Sequence, residues 1–486
     1  MQSQKGTRIL IITVVSASLL LVSVDNVSAH HTPKLENPDK FEIQLCADLA
    51  EFGRLKVFQL TFTNGENGFP AGLYVTSGPS GDDRSDRLIR VDQCMNKGST
   101  QKVNIVRDGF VSNEALVFAK GPYGDGMLIS APLKQQILRL SPNGTLTNFT
   151  SVGTEPFGPV GIDFGPDPLG EFPEVLFAVD FDGDRILRVD PEGNSTVFTE
   201  CPSDLCGGGS SGGGGASGKW FMFDPTGRYS NGFIFSTYSF GVRDAGAILA
   251  ISPDGKNFTL LAGQDLNGGK ASAFSPTSDL SLDGVEILAF GPGGSFGSDL
   301  YVPTIGYDGL HGEGNLLIMS PDGRLTPFIT NMDATSVVFD SNGILGGGMF
   351  IADFNEELGA GKIWRVTPAA GEEWNTFSLK IGDKSYQVRY QITGGTLKNM
   401  SADPETATLT VAISSTSDGS LKIELPRTII DSRTSKGSDA DFAAFIDDAE
   451  FTVPSENLTT ADIRTLSIDF PAGTETISIL GTSRFH

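Results

Sequence analysis

Apolar residues along this chain come in runs of three to five, separated by Gly, Pro, Asn and Asp, and few stretches show the i, i+3, i+4 spacing of an amphipathic helix. One phrase recurs. An apolar strand ending in Phe is followed by a Gly/Pro turn, a second apolar strand, a variable loop, a third strand closing in a Pro-x-Gly turn, and a short fourth strand. The first strand ends at Phe62, Phe118, Phe164, Phe223, Phe290 and Phe339. The second strand reads Leu73-Tyr74-Val75, Met127-Leu128-Ile129, Leu176-Phe177-Ala178, Phe233-Ile234-Phe235, Leu300-Tyr301-Val302 and Phe350-Ile351-Ala352. Ser-Pro-Asn-Gly, Asp-Pro-Glu-Gly or Ser-Pro-Asp-Gly follows the third strand in the middle four copies, supplying the residues that a hairpin turn requires.

Six copies of four strands, with no helix-period segment to serve as a parallel crossover, predict a radial array: an all-β, six-bladed β-propeller over residues 41–374. The last copy lacks a fourth strand, and Phe41-Glu42-Ile43-Gln44-Leu45 from the other end of the domain is expected to supply it. Ring closure of that kind removes the exposed strand edges. From 375 to 486 the repeat stops, and short alternating strands predict a β-sandwich domain. The stretch 207–218 is too Gly/Ser-rich to bury area and reads as a flexible insertion, and residues 30–40 read as a linker.

The N-terminus carries Lys5 and Arg8, an apolar run from Ile9 to Val24, and small residues at Val27-Ser28-Ala29, which together predict a signal peptide over 1–29. Retention as an uncleaved anchor is the other reading, and no later segment is apolar enough to span a membrane. The mature chain is therefore expected to be secreted or extracytoplasmic, with a cell-surface association open. The four cysteines fit that compartment: Cys201 and Cys206 can close a small loop, leaving Cys46 with Cys94, and no spacing fits a zinc site. Six Asn-x-Ser/Thr triplets of the mature chain, at Asn143, Asn148, Asn194, Asn257, Asn399 and Asn457, make a glycoprotein a further expectation.

Charge excludes one class of partner. With 59 acidic against 35 basic residues and a net charge of −24, the chain would repel a nucleic-acid backbone.

The units carrying Leu-Ala-Phe-Gly-Pro-Gly-Gly at 288–294, Asp-Leu-Tyr-Val at 299–302 and Ile-Leu-Arg-Val-Asp-Pro-Glu-Gly at 186–193 resemble NHL-repeat and gluconolactonase-like propellers. The C-terminal stretches 386–395 and 421–427 are similar to a β-sandwich module of secreted archaeal surface proteins, which implies an envelope role. The propeller resemblance implies a channel mouth where strand starts hold one divalent cation, Ca2+ or another. Counting back four residues from each Phe anchor reaches Phe58, Glu114, Val160, Lys219, Glu286 and Thr335. Only Glu114 and Glu286 match the implied acidic set, with Asn113 and Asp283 close by. The metal site is therefore expected at Glu114, Glu286, Asp283 and Asn113. The competing reading is a glutamate paired with Lys219 or hydrated in the channel.

The same resemblance places an acidic face around the mouth, from Asp82, Asp83 and Asp86 through Asp180, Asp182, Asp184, Asp244 and Asp308 to Asp353, Glu356 and Glu357. Asp180-Phe-Asp182-Gly-Asp184 sets three carboxylates on alternate residues, either a loop cation site or a solvated hairpin, and it lacks the Gly and Glu of an EF-hand. Histidine chemistry rests on His311 alone, apart from His30, His31 and His486 at the ends, where the His30-His31 pair could hold copper. No catalytic residue is assigned. The favoured function is a binding or scaffold module that engages a cell-envelope component, a protein or a small molecule at the acidic face, with a structural divalent cation. The alternative is a divalent-metal lactonase or esterase.

Overall fold

A computed structural model describes residues 32–52, 55–79, 86–95, 100–206, 215–240, 246–263, 282–306, 314–354, 361–369, 374–382, 384–434, 438–447, 450–460 and 463–482. The leader, the Gly/Ser run over 207–214, the four histidines, Asp82, Asp83, Asp244, Asp308, Glu356 and Glu357 lie outside them. The chain passes from one compact unit to a second at Thr367 and Pro368.

The first unit is a six-bladed β-propeller. Each blade is an antiparallel meander, exemplified by the third: Pro159–Pro166, Glu174–Asp180, Arg185–Val189 and Ser195–Glu200. The recurring Phe has a nearly fixed register, facing one of the first three residues of the second strand in every blade: Phe62 opposite Leu73, Phe118 opposite Met127, Phe164 opposite Leu176, Phe223 opposite Phe233, Phe290 opposite Leu300 and Phe339 opposite Met349. The second strands are buried on both faces, which is why they read as continuous apolar runs rather than alternating ones.

Blade six closes as expected, with Phe41–Asp48 joining Lys362–Pro368, Met349–Asp353 and Ala334–Phe339 in one sheet. Within the stretch read as linker, Lys34–Leu35 adds a fifth strand to blade five, with Lys34 opposite Thr330. Both disulfides pair as read: Cys46 with Cys94, and Cys201 with Cys206. The first of these joins the closing strand of blade six to the end of Asp86–Gln93 in blade one, so it clasps the seam of the ring. The expected flexible insertion ends earlier than 218, because Gly215–Phe223 is the inner strand of blade four. Gly218 has to be glycine there: a Cβ would stand 2.4 Å from the Phe235 ring.

Blades are pinned to one another by tyrosines. Tyr123 of blade two donates to the Val189 carbonyl at 2.5 Å and accepts the Leu176 N–H at 2.9 Å, and Tyr229 repeats the arrangement with Met319 and Leu300.

The second unit is built on a single curled sheet rather than on separate short strands. Its two long strands, Lys384–Asp403 and Thr408–Pro426, run antiparallel, with register shifts between Thr393 and Gly395 and between Leu397 and Asn399. One half of Thr408–Pro426 pairs with Thr476–Leu480 and the other with Ile463–Phe470. Both halves contribute to one core, Leu409, Val411 and Ile413 with Leu421, Ile423 and Leu425. Arg464, 1% exposed, is held by Glu456, by Asp431 and by the carbonyls of Ser432 and Ala440.

Candidate functional site

The six positions found by counting back from the Phe anchors lie on the inner strands or immediately before them. In blades one, three, four and six the ladder slips at that point: between Val57 and Leu60, Pro159 and Ile162, Gly218 and Trp220, and Ala334 and Ser336. A bulge leaves one residue unpaired and re-aims its side chain. The residues passed over are Phe58 with Gln59, Val160 with Gly161, Lys219, and Thr335. Glu114 and Glu286 instead precede the short inner strands Leu116–Phe118 and Ala289–Phe290.

Hydroxyl groups of neighbouring blades fix this inner ring. Thr76 of blade one donates to the Glu114 carbonyl at 2.7 Å, Ser130 of blade two to the Val160 carbonyl at 3.0 Å, Ser236 of blade four to the Glu286 carbonyl at 3.4 Å, and Thr335 of blade six to the Val57 carbonyl at 2.9 Å. All four are buried. Sequence reading missed Thr76, Ser130 and Ser236, although each stands immediately after its second-strand triplet and was legible as a recurring polar residue at the end of an apolar run. Gly161 lets blade three approach blade four beside the site, since a Cβ there would lie 2.6 Å from the Lys219 carbonyl oxygen.

The ring opens into a pocket of about 200 Å³. Phe58, Phe157, Phe181, Tyr238 and Phe354 form aromatic walls with Val160 and Ile305 between them, and Glu114, Lys219 and Glu286 supply the charges. The walls pack in pairs: Phe58 with Phe354 at 6.3 Å between centroids, and Phe157 edge-on to Phe181 at 6.1 Å. Lys219 Nζ is 3.1 Å from Glu114 Oε2, 3.3 Å from Glu286 Oε2 and 5.7 Å over the Tyr238 ring.

Burial would lower the basicity of Lys219, but the two carboxylates outweigh it and raise its pKa above the ordinary lysine value. Its amine is therefore held protonated and is no nucleophile. Glu286 is pushed up to about 7 by burial, against the pull of Lys219 and with Glu114 adding to the rise.

Glu114 and Glu286, read as the acidic pair of a metal site, are thus brought together on one ammonium supplied by blade four. Asn113 and Asp283 are not among the pocket-lining residues. Asn113 is turned into the protein, its backbone N–H on Asp86 Oδ2 at 2.6 Å and its side-chain amide on the Arg87 carbonyl at 3.1 Å. Asp283 is buried. Among the described residues, no group of three or more His, Cys, Asp or Glu side chains is arranged to hold a metal ion.

The described acids of the expected rim are largely committed inside the fold. Asp180, fully buried, accepts the Thr154 N–H and hydroxyl at 2.7 and 2.9 Å and pairs with Arg185 at 2.8 Å. Asp182 accepts the Phe157 N–H at 2.7 Å, so it positions a wall of the pocket. Asp184 is pushed up to about 6 by burial and by its two neighbouring aspartates. Asp86 is likewise raised to about 6, chiefly by burial, and Asp353 accepts the Trp364 indole N–H at 3.0 Å.

No protein-family model matches the chain, and no curated protein does. Among solved structures it is similar to virginiamycin B lyase from Staphylococcus aureus, at 13% identity over 67% of this chain and 99% of that one, with a TM-score of 0.41. An auxiliary nutrient binding protein from Bacteroides thetaiotaomicron is 15% identical over 66% of this chain and 70% of that one, with a TM-score of 0.42. Regucalcin, a calcium-binding protein from Agrobacterium tumefaciens, is 15% identical over 62% and 82%, with a TM-score of 0.32. The chain is a six-bladed propeller protein. That follows from its own sheet order, and at these identities and TM-scores the likenesses carry no argument about function.

Proposed function

We propose that this chain is an extracytoplasmic binding protein whose propeller takes a small, partly apolar molecule into the aromatic pocket, with the second unit as a tether or spacer. The observation that carries the reading is the pocket itself: five aromatic residues from separate loops and strands converge around a few fixed polar groups, the composition of a ligand site. Two disulfides support an oxidising compartment. Five of the six glycosylation triplets, at Asn143, Asn148, Asn194, Asn257 and Asn399, are exposed, as acceptors must be. No helix among the described residues is long and apolar enough to cross a membrane.

The lactonase alternative needs oxygen ligands at the ring positions that carry Phe58, Val160 and Lys219, and these side chains provide none. A divalent ion would also have to displace the Lys219 ammonium from both glutamates. A structural cation at Glu114 and Glu286 meets the same obstacle.

The test is a thermal-shift screen of ring-sized organic molecules against the full chain and against F58A and F354A. Hits are expected to lose their shift in both variants. Hits that keep it would place binding elsewhere and refute the reading.

A further inference from the structure

The floor of the pocket holds two carboxylates and one ammonium. Lys219 is within ion-pair distance of both glutamates, so it has no remaining charge to offer an anionic ligand, while the glutamates are together short of one cation. We infer that the pocket selects a compact organic ammonium, a ligand whose positive head completes the Glu114–Lys219–Glu286 set while its apolar body fills the aromatic walls. This deepens the small-molecule reading above and rests on it.

Three further observations carry the assignment. The walls are ring faces, which attract cations through their quadrupoles, most strongly where water is excluded. The protein already uses them so, because Lys56 Nζ stands 4.6 Å over the Phe354 ring and Lys219 stands over Tyr238. Asp182 is bonded to the Phe157 backbone and Asp353 directly precedes Phe354, so a carboxylate accompanies two of the walls. Size sets the upper bound. An apolar cavity of about 150 Å³ holds benzene, so a pocket of about 200 Å³ fits a single ring with a short aminoalkyl arm. Burial also makes Glu286 costly to ionise with only half a counter-ion, and an incoming ammonium relieves that cost.

The experiment is calorimetric titration of the full chain at pH 8 with three near-isosteres: 2-phenylethylammonium, 2-phenylethanol and phenylacetate. The ammonium is expected to bind at least about tenfold more tightly than the alcohol, and phenylacetate more weakly than either. In E286Q, checked by its melting curve, the floor becomes neutral and the preference for ammonium over alcohol should fall below about threefold. F58A should weaken all the probes that bind. Equal binding of ammonium and alcohol, tighter binding of phenylacetate, or a preference that survives E286Q overturns the cation assignment. If the alcohol still binds and F58A abolishes it, the pocket reading stands without the cation. If no probe binds, or F58A changes nothing, the pocket reading falls and the inference with it.

Discussion

Replacing Lys219 with Met tests the ion cluster most directly, because an unbranched side chain only one atom shorter removes the charge and its hydrogen bond while leaving most of the packing. Its ammonium serves two glutamates, at 3.1 and 3.3 Å, both largely buried. Removing one member of a buried ion pair leaves an uncompensated charge and costs about 3–5 kcal/mol. At pH 8 the variant should carry that cost in full, a fall in Tm of about 4–7 °C at roughly 1.4 °C per kcal/mol for a unit of more than 300 residues. At pH 5 the outcome differs. Glu286 is already pushed up to about 7 with Lys219 present. Without Lys219 the attraction that opposes the rise is gone, so Glu286 holds its proton more strongly still, the floor sheds its facing charge and Met packs among the aromatic walls. The deficit should shrink to about 1 kcal/mol or less, a residual typical of a buried substitution of similar volume. The assay is paired calorimetric melts of wild type and K219M at pH 5 and pH 8 under non-reducing conditions. An equal deficit at both pH values, or none at pH 8, would refute the claim that charge rather than packing makes Lys219 matter.

Wild-type stability should itself fall as pH rises. Glu286 at about 7, and Asp86 and Asp184 at about 6, hold protons in the folded state that the unfolded chain has already released above its ordinary carboxyl pKa values. The Tm should therefore be higher at pH 5 than at pH 8; the opposite slope would contradict the buried state of these groups. Calcium in the millimolar range should leave the wild-type Tm unchanged and raise that of K219M, where the two glutamates face each other without a cation. A wild-type shift lost in E114Q/E286Q would restore the metal site. Of the disulfides, the seam clasp spans 48 residues and the loop pair 5. Loop closure then predicts a loss of about 4 kcal/mol for C46S/C94S and about 2 kcal/mol for C201S/C206S by denaturant titration. In the second unit, R464M should destabilise by about 3–5 kcal/mol. R464K should recover only part of that, because an ammonium cannot reproduce the guanidinium fork that meets Glu456, Asp431 and two carbonyls.

Much of the propeller was legible in the residues because its signals are local. A Phe opposite the start of the next strand, an apolar triplet and a Pro-x-Gly turn each depend on neighbours a few positions away, so their repetition announces six blades. The strand at Phe41–Leu45 could be matched to the missing edge of blade six by arithmetic on strands. The ring positions themselves followed from a constant offset, which is why Phe58, Glu114, Val160, Lys219 and Glu286 could be named together before the structure placed them in one pocket. What they do there was not local. Whether Glu114 and Glu286 face a metal, water or Lys219 depends on the bulge at Gly218 and Trp220 and on the close approach allowed by Gly161, which set the reach of one ammonium to two other blades. The aspartates at 180 and 182 look like solvent or cation ligands in sequence. They turn inward because Thr154 and Phe157, some 25 residues away, offer backbone N–H groups that only the folded ring brings within hydrogen-bond distance. Strand pattern is encoded along the chain, whereas the pairing of charges is decided by distances across it, and those exist only once the ring is closed.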